Sequence, residues 1–149
     1  MRVVAQRVKS ASIKVDTRFV SSIAEGLLIY LGIMKNDTEK DLDYLVKKIL
    51  NLRIFNDENN KMNKSVLEKK DQILVVSQFT ICANTQKGHR PSFDNAADPK
   101  IALEYYNRFC SELEKSDIEI RKGVFAADMK VESINDGPVT ILIDSCKIF

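Results

Sequence analysis

The sequence predicts an α+β fold, antiparallel or mixed β-sheets with two main helices packed on one side. Three observations carry that expectation. Apolar and polar residues alternate with period two near both ends of the chain, two segments of helical periodicity lie between them, and no glycine-rich turn follows a strand as a doubly wound nucleotide fold requires. With 149 residues, 44% hydrophobic and 30% charged, the chain suits a single domain, residues 1–149, with a true core.

At the N-terminus, Val4, Gln6 and Val8 alternate with Val3, Ala5 and Arg7, and Ala11, Ile13 and Val15 alternate with Ser10, Ser12 and Lys14, which predicts strands with one buried face. After a polar turn, residues 27–31 form a continuous apolar run between Gly26 and Gly32, suited to a central strand covered on both faces. Asn36-Asp37-Thr38 supplies capping side chains for an amphipathic helix over 38–52, with Leu42, Leu45, Val46, Ile49 and Leu50 along its apolar side. Residues 56–63, dense in Asn, Asp and Lys, read as a surface loop. A second buried strand over 73–81 carries Ser77-Gln78-Phe79-Thr80 at its far end. Asp98-Pro99 opens another helix, with Ile101, Ala102, Tyr105, Phe109 and Leu113 on one side and an end near Lys115. Alternation returns at 118–120, at Val131 and Ile134, and at 139–143 after a turn at Asn135-Asp136-Gly137-Pro138.

A formal charge of +2 gives a weak global field, so a polyanion would have to be held by a local cluster of Lys and Arg. Cys82, Cys110 and Cys146 are odd in number and far apart, which favours three reduced, mostly buried thiols over disulfides or zinc. The apolar runs at 27–31 and 73–76 are too short to span a bilayer and no signal-peptide pattern opens the chain, so a soluble cytoplasmic protein is expected. His89, the only histidine, stands in the polar segment Lys87-Gly88-His89-Arg90-Pro91, where a surface loop position is expected. No metal-ligand spacing and no phosphate-cradling glycine motif occurs, so neither metal nor cofactor is expected. Catalysis would then rest on backbone N–H groups, small hydroxyls and the substrate itself, which suits an already activated bond such as an aminoacyl ester.

Two segments stand above this background, Ser77-Gln78-Phe79-Thr80-Ile81 and Asn135-Asp136-Gly137-Pro138-Val139-Thr140. Taken singly they read as a strand end and a β-turn composition. Together they resemble the signatures of the D-aminoacyl-tRNA deacylase family. The resemblance spans the chain, since Met1-Arg2-Val3-Val4-Ala5-Gln6-Arg7-Val8, Asn36-Asp37-Thr38 and residues 87–93 and 125–129 also fall in the family's order. The architecture expected with it is a barrel-like core bearing the two main helices on one side.

The resemblance implies an ester hydrolase of D-aminoacyl-tRNA, and of glycyl-tRNA mischarged on a non-cognate tRNA, acting as a homodimer with sites at the subunit interface. By position, Ser77, Gln78, Phe79 and Thr80 would surround the ester as the catalytic set. Ala96, Phe125 and Met129 would lie on the substrate side, the first two near the terminal adenosine. Gly137 and Pro138, joined by a cis bond, would reach into the partner's pocket and reject L side chains, with Arg7 bracing their loop. Thr80 has three open roles: nucleophile, water-orienting hydroxyl or wall. Without a nearby base, assistance from water or the ribose 2′-hydroxyl is the favoured reading.

Three positions depart from the family pattern: His89 in the basic loop, without evident consequence, Ile81 in place of leucine, and Ala126 in place of a common glycine. If the last needs a positive φ, its methyl group weakens adenosine binding. Lys87, Arg90, Arg121 and Lys122 either grip acceptor-end phosphates or are solvated charges, two readings that the sequence leaves even. Tyr105, Tyr106 and Phe109 read as core and not as a stacking platform. Two other functions stay open, a sister deacylase acting on L-alanine attached to the wrong tRNA and a tRNA-binding module without turnover.

Overall fold

A long first strand organises the molecule, a computed structural model that describes residues 1–148. Strand β1 (Arg2–Val15) is followed by two return strands that lie end to end along one of its edges. β2 (Arg18–Ile23) pairs antiparallel with the second half, from Val15↔Arg18 to Ala11↔Ile23, and β3 (Gly26–Gly32) with the first, from Val8↔Gly26 to Arg2↔Gly32. The polar turn expected between 15 and 27 therefore holds a strand. Its pattern was hidden because one of its two buried positions is Ser21, whose hydroxyl donates to the carbonyl of Lys122 at 2.9 Å.

Helix α1 (Glu39–Leu50) starts at Thr38, whose N–H and hydroxyl both donate to Asp41 Oδ2, at 2.8 and 2.7 Å. Asp37, just before it, accepts from the Met1 ammonium group and, at 2.6 Å, from the Met34 N–H. The stretch expected to be loop contains a hairpin, β4 (Phe55–Asn56) and β5 (Met62–Lys64), turned around Asp57, whose carboxylate accepts from the N–H groups of Asn59 and Lys61 at 2.8 and 3.0 Å. The four-residue helix α2 (Val66–Lys69) follows, capped by Ser65.

β6 (Gln72–Ser77) runs parallel to β3 and is followed by a short 3-10 helix (Phe79–Cys82). Helix α3 (Pro99–Glu114) leads to β7 (Ile120–Lys122), parallel to β6, and β8 (Met129–Asp144) lies antiparallel along the other edge of β1. The six strands form one sheet, ordered β2-β1-β3-β6-β7 with β8 on β1. The bond from Ser21 to Lys122 joins β2 to β7, so the sheet curls into a nearly closed barrel.

Both faces of β3 and β6 are covered. Leu27, Ile29, Leu31, Ile73 and Val75 pack against Leu42, Leu45 and Ile49 of α1 and Tyr106, Phe109 and Leu113 of α3. Leu28, Leu74 and Val76 turn inward to meet Val8, Ala11, Ile13 and Ile23. Truncating any of these buried aliphatic chains to alanine costs about 2–5 kcal/mol, so these two strands form a rigid base for whatever stands at their ends.

Several expectations change. The second buried strand stops at Ser77 instead of running to 81: the Gln78 N–H makes a last bond to the Leu31 carbonyl at 2.8 Å, β3 ends at Gly32, and no neighbour remains to extend the ladder. Residues 135–138 form no turn between two strands; they lie inside the single strand β8. The cysteines, by contrast, are as expected, free thiols that are mostly buried: Cys82 and Cys110 are buried and Cys146 is exposed. Among the described residues no helix is long and apolar enough to cross a membrane.

Candidate active site

Where β3 and β6 end, the sheet, the start of α3 and the segment before β8 enclose a largely apolar cavity of about 500 Å³. Ser77, Gln78, Phe79, Ala96, Phe125 and Met129 line it together, although they come from three separate stretches of sequence. Ser77 is the last residue of β6, and the 3-10 helix swings Phe79 across the opening. Ala96 is fixed by bridging Met34, with Lys35 N–H on the Asn95 carbonyl and Ala97 N–H on the Ile33 carbonyl, each at 3.0 Å. Phe125 leans on Tyr106 at 5.8 Å between ring centroids. The Tyr106 hydroxyl donates to the Val75 carbonyl at 3.0 Å, and burial raises its pKa, so it serves as a neutral anchor for this wall.

Thr80 is placed differently from the other members of its motif. It is exposed, does not line the cavity, and its hydroxyl accepts from Gln78 Nε2 at 2.6 Å. The N–H groups of Phe79 and Thr80, first in the 3-10 helix, donate to no protein acceptor among the described residues. Asp128, on the rim, is bound to Lys130 at 2.8 Å. The lining therefore offers hydroxyl, amide and backbone donors and no buried acid–base pair. Among the described residues no cluster of three or more His, Cys, Asp or Glu side chains could hold a metal ion.

Sequence reasoning missed Ala97, Pro99 and Ala102, which form the wall at the start of α3. Small apolar residues around a helix cap look like ordinary packing, and only the fold turns them toward a cavity. Ala126, also in the lining, has φ +60°, the left-handed conformation that the resemblance made conditional.

The second motif stands elsewhere. The ladder between β1 and β8 pairs Gln6 with Thr140 and Val8 with Asn135, so residues 136–139 bulge out opposite Arg7 alone. Arg7 is only 8% exposed. Its Nε donates to the Asp136 carbonyl at 3.2 Å and lies 3.1 Å from the Asp136 carboxylate, while Nη1 donates to the Ile54 carbonyl at 2.6 Å. At the neck of the bulge Val139 N–H donates to Asn135 Oδ1 at 3.0 Å. Gly137 has φ +126°, and a Cβ there would sit 2.8 Å from Val139 Cγ2 and 2.9 Å from Arg7 Nη2, so no other residue fits. The Gly137–Pro138 bond is cis, and both residues are exposed, outside the cavity of their own chain. The two motifs do not meet within one subunit.

Comparison with known proteins places this geometry. Residues 4–144 match the family model described as D-Tyr-tRNA(Tyr) deacylase. The chain is 53% identical over 146 residues to a D-aminoacyl-tRNA deacylase of Bacteroides thetaiotaomicron, covering 97% of each chain. It is 52% identical over 149 residues to one of Kosmotoga olearia, covering 100% of each. Among solved structures it matches the c-Myc DNA Unwinding Element Binding Protein, 43% identical, with a TM-score of 0.93 over 97% of this chain and 98% of that one. A probable eukaryotic D-amino acid tRNA deacylase, 18% identical, shares the fold with a TM-score of 0.83 over 95% and 97%. A family model that takes in nearly the whole length, together with relatives more than half identical from end to end, leaves one conclusion: the chain belongs to the D-Tyr-tRNA(Tyr) deacylase family.

Proposed function

We propose that this protein hydrolyses the ester between a D-amino acid and the terminal ribose of tRNA in the cytoplasm, using no metal or cofactor. The observation that carries the reading is an apolar cavity that has Ser77 and Gln78 in its lining, unbonded backbone N–H groups in the adjoining 3-10 helix and no acid–base pair, in a chain whose other motif is braced from behind and turned away. An aminoacyl ester is activated enough to need only oriented water and stabilisation of the oxyanion. The free N–H groups of Phe79 and Thr80 supply the latter, each well-aimed donor contributing about 3 kcal/mol. The adjacent ribose 2′-hydroxyl assists the attack, since Thr80 has no base to activate it.

The Gly137–Pro138 bulge acts in a second copy of the chain. Among the described residues β8 pairs only with β1, and its surface exposes Ile134 and Leu142 at 62% and 58%, which favours a homodimer formed along this strand. Main-chain atoms set against the substrate Cα exclude an L side chain and leave room for a D side chain or for the hydrogen of glycine, so mischarged glycyl-tRNA is also a substrate. Incubating the protein with D-Tyr-tRNA and L-Tyr-tRNA tests the reading. Faster loss of the D ester is expected, and equal stability of the two, or faster loss of the L ester, rejects it.

A further inference from the structure

Phe79 and Phe93 form an exposed aromatic pair beside the cavity mouth, with ring centroids 5.1 Å apart and planes at 66°. They remain 57% and 38% exposed. An edge-to-face contact covers one face of one ring only, so aromatic surface stays open to a third planar group. Phe93 is held in place: Asn84 and Ser92 exchange backbone bonds at 2.8 and 3.0 Å, and Ala96 N–H donates to the Phe93 carbonyl at 2.9 Å.

The loop pinned by Asn84 and Ser92 carries Lys87, His89 and Arg90, all exposed. The two readings that the sequence left even for the basic residues now separate. Arg121 is paired with Glu119, and Lys122 with Glu114 at 2.7 Å, so a phosphate would have to compete with a carboxylate for either one. Lys87 and Arg90 have no carboxylate partner among the described residues, and the nearby Asp94 accepts instead from the Ser92 hydroxyl at 2.8 Å. Open ring faces next to unpaired cations match the chemistry of single-stranded RNA, a base stacking on the ring and the flanking phosphates meeting the positive charge.

We infer that Phe93, packed against Phe79 beside the Lys87–Arg90 loop, is a stacking subsite for the pyrimidine nucleotide that precedes the terminal adenosine. The inference rests on the deacylase reading for the direction in which the RNA enters, with its terminal nucleoside in the cavity. The preceding base then leaves along the Phe79 edge, and its phosphates come beneath Lys87 and Arg90. Recognition extends past the esterified nucleoside to the unpaired end that every tRNA shares, so the subsite favours tRNA over a free aminoacyl nucleoside without favouring one tRNA over another.

Calorimetric titration of the whole protein with adenosine and with the trinucleotide cytidylyl-cytidylyl-adenosine tests this without any turnover. The wild type is expected to bind the trinucleotide about tenfold more tightly, the gain from a single base–aromatic stack. Phe93→Leu, which keeps an apolar cover on Phe79, should lose that gain, and Phe93→Tyr should retain it. Equal affinity of the wild type for the two ligands, or an undiminished gain in Phe93→Leu, overturns the inference. A failure of the deacylase reading shows instead in the D and L ester comparison, which does not depend on the trinucleotide.

Discussion

The guanidinium of Arg7 donates to the main-chain oxygen of Asp136 at 3.2 Å and, through a different nitrogen, to that of Ile54 at 2.6 Å. One buried side chain thus ties the Gly137–Pro138 bulge to the segment after α1. Lysine, with a single nitrogen, cannot serve both carbonyls. Arg7→Lys is expected to lower the unfolding free energy by about 1–3 kcal/mol, the penalty of an unsatisfied buried acceptor. Its deacylation rate should fall further than the unfolded fraction explains. Denaturant titration paired with rate measurements checks this, and a fully active Arg7→Lys variant would contradict the bracing role.

Ala126 holds φ at +60°, where a Cβ costs roughly 1–2 kcal/mol and glycine nothing. Glycine returns about half of that as extra chain entropy in the unfolded state. Ala126→Gly should therefore stabilise the protein by about 0.5–1 kcal/mol and tighten adenosine binding. A lower denaturation midpoint would show that the methyl group packs better than its backbone strain suggests.

Ile134 stands 62% exposed on β8, the strand whose outer edge pairs with nothing among the described residues. A carboxylate buried there without a partner would be costly enough to separate two copies. Sedimentation should find a dimer for the wild type and a monomer for Ile134→Asp, with deacylation lost in step. An active monomer would contradict the shared site.

Thr80 lies on the outer side of its motif, held by Gln78 at 2.6 Å. Thr80→Val removes the hydroxyl and keeps the shape, so activity within roughly tenfold of wild type is expected if the backbone N–H groups carry the stabilisation. A substrate ending in 2′-deoxyadenosine should react on the order of 100-fold more slowly, the usual size of lost general acid–base assistance. The reverse pattern would make Thr80 the nucleophile.

Burial pushes the Cys82 thiol from 9.0 up to about 11 and the Cys110 thiol up to about 12. Both should resist a disulfide reagent at neutral pH in the native protein, while Cys146, which is exposed, reacts at once. The unfolded chain ionises these thiols more easily than the folded one does. Their contribution to stability is therefore complete below pH 9.0 and is lost as pH climbs toward about 11 for Cys82 and about 12 for Cys110. Rapid native labelling of all three thiols, or a denaturation midpoint unchanged across that interval, would refute this.

The helices were legible because their boundaries are local: Thr38 and Asp98 cap them, and the observed ends at Leu50 and Glu114 fall within two residues of those read from periodicity. β2 escaped detection because it buries a serine. The stop at Ser77 was unreadable for another reason, since Phe79-Thr80-Ile81 continues the apolar character of the strand and the break is imposed by the end of β3. The same holds for the site. Its motif residues could be named from the sequence, but the turn of Thr80 away from the cavity and the capture of Arg121 and Lys122 by Glu119 and Glu114 depend on distant elements.

The bulge of β8 is an interruption that leaves the sheet intact. Because pairing resumes at Asn135 on one flank and Thr140 on the other, residues 136–139 add a projection to the strand without unthreading the barrel. A change in that tip that keeps Gly137 and the Arg7 contacts alters what the barrel presents to its surroundings while the scaffold behind it stays constant.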